Sequence, residues 1–243
     1  MKKLMPLVAA AAVLAIAFII GVLMFTSAWQ ENYKSSQTIN VTGSAKRDLV
    51  SDLGILRINI FVEASTASEA YALLEEQKPI LFTYLAEQGF PKDSVTLFPS
   101  YSHANYEISP QGYQSNTIRS YQYSQRFEIW SSDVALIKNI SLEIASLVQQ
   151  GLNVQVESPE YYYTKLSDIK IDIQAEAAKD AMERAKKIAT ATGSELGPMT
   201  GARMGVLQIT PRNSNMITDY GLNDVSSIEK EITAVVSATF ILN

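Results

Sequence analysis

Apolar residues follow three patterns along this chain, and each predicts a different kind of element. The first is continuous: Lys2 and Lys3 precede 22 uncharged, mostly apolar residues from Leu4 to Phe25. As a helix rising about 1.5 Å per residue, that run matches the roughly 30 Å hydrocarbon core of a bilayer. With basic residues before it and Glu31 after it, the N-terminus is expected in the cytoplasm and the remainder outside. Residues 1–28 therefore read as a retained, single-pass anchor in the inner (cytoplasmic) membrane. The alternative is a signal peptide cleaved near Ala28, which would leave a periplasmic or secreted protein. Cleaved signals have apolar cores of about 7–15 residues, shorter than this one.

The second pattern is alternation, the mark of half-buried strands. It is clearest over Ile55–Glu63, where Leu56, Ile58, Ile60 and Val62 face one way while Arg57, Asn59 and Glu63 face the other. Thr38–Gly43, Ser94–Tyr106, Ile118–Trp130, Leu152–Tyr162, Thr200–Thr210 and Ile228–Leu242 also read as strands. The third pattern is helical spacing. Thr66-Ala67-Ser68-Glu69 forms a capping box opening a helix that Gly89 closes, with Pro79 expected to kink or split it. Ser132 is expected to cap a second helix, ending at Gly151, with Ile137, Ile140, Ile144, Leu147 and Val148 inward. A third runs from a Ser167 cap to Gly193, lined with alanines, with Asp180–Arg184 and Glu183–Lys187 on its exposed face.

The resulting order after the anchor is β-β-α-β-β-α-β-α-β-β. It predicts an α+β fold built as a split βαβ-type antiparallel sheet with helices on one face. Residues 29–37 read as a polar tether, residues 38–243 as the folded domain, and the polar segment Pro211–Ser227 as long enough to be mobile.

Composition narrows the chemistry. There is no cysteine, which removes disulfides, thiolate nucleophiles, Cys-ligated zinc and a lipid-modified cysteine. The sole histidine, His103, lies in a strand with no Gly-x-Ser-x-Gly or other nucleophile motif in the chain. Asp219, Asp224 and Glu229 lack the spacing of a calcium loop, so no metal or other cofactor is expected. Glu157 and Glu160, three apart in one strand, would point to opposite faces, unlike a glycosidase pair. Without Lys2 and Lys3 the chain carries 18 basic against 25 acidic residues, a net charge of −7 that disfavours nucleic acid. Eight of the 12 tyrosines fall between Tyr101 and Tyr163. Tyr101, Tyr121 and Tyr123 are the candidate contact residues, for an interface or for a ligand groove.

Four short motifs carry a family resemblance. Val41-Thr42-Gly43, Thr66-Ala67-Ser68-Glu69-Ala70, Tyr121 with Gln125, and the alanine-rich Ala177–Ala185 stretch running on to Gly193 resemble elements of the SIMPL domain of YggE-like bacterial envelope proteins. Ser51-Asp52 stands where that family often has Pro-Asp, and Ser120 where it usually has glycine. The resemblance implies an α+β envelope protein without established catalytic residues, with ring-like or channel-like homo-oligomers among its relatives and a link to oxidative stress. The expected function is thus a non-enzymatic, membrane-anchored homo-oligomeric scaffold. A small-molecule binding module on the tyrosine-rich strands is the alternative, and a carboxylate-dependent hydrolase a weaker one. Self-association is also expected because Ile232–Leu242 is apolar and uncharged, so it must be central or paired across subunits.

Overall fold

A computed structural model describes residues 14–27 and 37–243. Residues 14–27 are helical and exposed throughout. The first part of the proposed anchor lies outside the described residues, and among those described no helix is long and apolar enough to cross a membrane.

The strands divide into two sheets rather than one. The first contains β1 (Thr38–Val50), β8 (Leu196–Met204), β9 (Gln208–Pro211), β10 (Leu222–Asn223) and β11 (Glu229–Leu242). Its order is β1-β11-β9-β10, with β8 also paired to β11. The second contains β2 (Leu53–Ala64), β3 (Thr96–Leu97), β4 (Tyr101–Ile108), β5 (Gln114–Ser131), β6 (Val154–Val156) and β7 (Glu160–Tyr162), in the order β3-β5-β2-β6. Helices α1 (Ala67–Glu87) and α2 (Val134–Glu143) pack on the second sheet, and α3 (Leu166–Ala191) on the first. The split βαβ order is present, but it is confined to the second sheet. The expected single sheet fails because β1 and β2, two residues apart, never pair: β1 runs its full length along β11, from Thr38↔Ile241 to Val50↔Glu229. Alternation shows which residues face a core and is silent about which strand lies alongside.

Other departures have local causes. Ser94–Tyr106 is broken at Phe98-Pro99-Ser100, Leu152–Tyr162 at Glu157-Ser158-Pro159, and Thr200–Thr210 at Gly205-Val206-Leu207. Two of the breaks contain proline, which has no N–H to give a ladder. Pro79 leaves α1 continuous from Ala67 to Glu87, with the Thr66 capping box formed as expected. Asp133, not Ser132, caps α2 by accepting from the Leu136 N–H, and α3 begins at Leu166 without a side-chain cap. The Pro211–Ser227 segment is anchored by β10 and by Gln208 Nε2 donating to the Thr218 carbonyl at 2.7 Å.

Each sheet has its own core. In the second sheet, Leu56, Ile58, Ile60, Phe127 and Ile129 meet Leu74, Leu81 and Leu85 of α1 and Ile137 and Ile140 of α2, all fully buried. In the first, Ala177, Ala181 and Ala185 of α3 lie against alternate residues of β11 and the inward face of β1. The alanines are there because the backbones nearly touch. A Cβ on Gly43 would fall 2.2 Å from the Ala181 nitrogen and 2.4 Å from the Ala177 carbonyl oxygen.

Candidate functional site

The tyrosine-rich region is a long hairpin, β4–β5, turned by residues 109–113 with Gly112 at φ +85°. Tyr101 pairs with Ser124, whereas Tyr121 pairs with Ala104 and Tyr123 with Ser102. Paired residues share a face and neighbours alternate, so Tyr121 and Tyr123 lie on one face and Tyr101 on the other. The three therefore do not converge on one pocket. Tyr123 packs onto the second sheet's core and stacks edge-on with Tyr71, centroids 5.7 Å apart, while Tyr101 is 67 % exposed. His103 is exposed opposite Gln122, with no carboxylate partner among the described residues.

What the hairpin does gather is apolar surface at its far end. Ile108 and Tyr113 are about three-quarters exposed, and Tyr106 and Ile118, directly paired, are each exposed as well. β4 is hydrogen-bonded to β5 alone, which leaves its other edge without a strand partner among the described residues.

Carboxylates collect on the helix-free face of the second sheet. Arg57 of β2 donates to Glu128 of β5 and Glu160 of β7, both at 2.9 Å. Arg126 and Asn59 both donate to Glu157 at 3.0 Å. Glu157 and Glu160 thus share a face, against the expectation from their spacing, because the Ser158-Pro159 break restarts the alternation between them. The chemistry of the pair is still not that of an acid catalyst. The hydrogen bond from Arg57, helped by Tyr162, holds Glu160 below the usual carboxylate range, and the Arg57 guanidinium is raised in turn, chiefly by Glu160. A general acid needs the opposite shift.

Lys230 sits buried where the two sheets meet, and nothing in the sequence pattern singles it out. Its Nζ donates to the Tyr161 carbonyl at 2.6 Å and to the Asp224 carbonyl. Tyr161 N–H donates to the Val225 carbonyl at 2.7 Å, and Ser51 N–H to Ile228 at 2.9 Å, completing the seam. Burial pushes the Lys230 ammonium down, partly offset by Asp224. Such a lysine is a candidate nucleophile in principle, but this one is 2 % exposed, and both its bonds go to main-chain carbonyls.

On the helix-free face of the first sheet, the segment 212–221 lies over the strands and leaves a groove of about 440 Å³. Its floor includes Lys46, Glu231, Thr233 and Val235, and its roof Met216 and Thr218. No spacing rule brings these residues together, since the roof is held by the Gln208–Thr218 bond and by the Arg212 and β10 contacts at its two ends.

The SIMPL family model, described as a protein of unknown function (DUF541), matches residues 39–240. The chain belongs to the SIMPL family. No curated protein matches the chain. The family's residues take on concrete roles in this SIMPL fold. Gly43 admits α3, Thr66 and Glu69 cap α1, and Gln125 ties the break before β4 to β5 by donating to the Phe98 carbonyl at 2.8 Å. Ser120, in place of the usual glycine, hydrogen-bonds the Glu63 carboxylate.

Proposed function

We propose that this SIMPL protein is a non-enzymatic, membrane-anchored scaffold that self-associates on the extracytoplasmic side through its β4–β5 hairpin. The observation that carries the reading is the end of that hairpin, where Tyr106, Ile108, Tyr113 and Ile118 stay exposed beside a strand edge without a partner among the described residues. Clustered apolar residues next to free N–H and C=O groups favour pairing with another strand edge. Ile232–Leu242 offers no such edge, because β11 is central, paired with β1 on one side and with β8 and β9 on the other. The 22-residue apolar run supplies the tether, and holding copies in one membrane plane raises their effective concentration. A role in oxidative stress would have to run through something other than a thiol, since the chain has no cysteine.

The same absence gives a direct test. In carbonate-washed membranes, Ile108→Cys should give disulfide-linked dimers on mild oxidation, while Lys179→Cys on the exposed side of α3 should not. Loss of the protein from washed membranes would remove the anchor from the account, and absent or equal cross-linking of the two variants would remove the hairpin interface.

A further inference from the structure

We propose that the groove under residues 212–221 is a binding site for a small primary ammonium compound with a short apolar body. This inference is independent of the hairpin interface and starts from two orphaned polar atoms. Gln208 is 9 % exposed and lines the groove, and its Oε1 is buried without a partner among the described residues, as is the Thr218 hydroxyl. The orientation of the Gln208 amide is fixed by chemistry. Its Nε2 lies 2.7 Å from the Thr218 carbonyl oxygen, which can only accept, so the other amide atom is the oxygen and needs a donor. A buried polar group left unpaired is costly, so a ligand that donates here recovers that penalty on binding.

The rest of the lining selects the ligand's charge and shape. Lys46 is bound to Glu231 at 2.7 Å, which neutralises that pair locally. Asp219 also lines the groove and has no ion pair among the described residues, so the surplus charge of the site is negative. Val206, Met216, Ile217 and Val235 supply apolar contact. The cavity, about 440 Å³, falls at the small end of ligand sites. An ammonium group donates to Gln208 Oε1 in reach of Asp219, and a short hydrocarbon body covers the apolar side chains. An anion of the same shape meets the Gln208 acceptor and the surplus negative charge.

The test is equilibrium dialysis of phenethylammonium, 3-phenylpropionate and 2-phenylethanol against the full chain in nanodiscs, with empty nanodiscs as blank. Phenethylammonium should bind saturably at about 1 mM or tighter, which asks about 0.5 kcal/mol of each heavy atom, and at least tenfold more tightly than the anion. Val235→Phe, which fills the floor and leaves the Gln208–Thr218 bond in place, should abolish uptake with an unchanged melting temperature. Gln208→Leu should weaken it at least tenfold. Uptake equal to the blank would mean that water alone satisfies the two polar atoms and would overturn the proposal. So would a preference for the anion, or uptake unaffected by Val235→Phe.

Discussion

Single atoms decide the closest contact in the molecule. At Gly43 an added methyl would meet the main chain of α3, which has no rotamer by which to move aside. Gly43→Ala should therefore cost about 3 kcal/mol, the upper end of overpacking effects, measured as a shift in the denaturant midpoint at unchanged slope. A cost below about 1 kcal/mol would mean that α3 can lift from the sheet. The sequence marked the alanine side of this contact, because small residues at helical spacing signal close approach, and reached the glycine only through the family motif. It did not mark Gln208 or Lys230, and it reached Gln125 only through the family motif. Their work is to bond main-chain carbonyls of other segments, and a polar residue in a strand looks the same whether it meets water or such an oxygen.

Elements were legible where one physical rule governs them. Alternation found β2, strand-like composition found β11, and capping chemistry found the start of α1. Boundaries failed where a strand breaks without turning back, as at Phe98-Pro99-Ser100 and Ser158-Pro159, since the flanking pieces keep a strand-like composition. The second of these breaks has an energetic consequence. It brings Glu160 round to Arg57, so that one guanidinium joins three strands, β2, β5 and β7. Glu160 is more acidic in the folded chain than in the unfolded one, so the folded state binds fewer protons there and is stabilised above the unfolded value of about 4.3. Glu160→Gln should cost about 1–2 kcal/mol at pH 7, the scale of a partly exposed charged hydrogen bond. The gap between the two proteins should close as pH falls below about 5 through the depressed folded value. A gap that persists undiminished at pH 3 would contradict the ionic origin of this clamp.

At the scale of the whole molecule, two α/β layers share one chain by an exchange of ends: β1 opens the sequence of the domain but completes a sheet made from its last third. That arrangement buries the strand that looked most prone to aggregate and leaves β4 among the strands with an unpaired edge in the described residues. The candidate interface thus shifted from Ile232–Leu242 to the hairpin, which the sequence had singled out only through its tyrosines. The central claim is that anchored copies associate through this domain. The most direct test is the mass of the full chain in detergent, by light scattering corrected for bound detergent, across a range of concentrations. The account predicts a defined multiple of 26.8 kDa that persists on dilution. A mass of one chain at every concentration would contradict it.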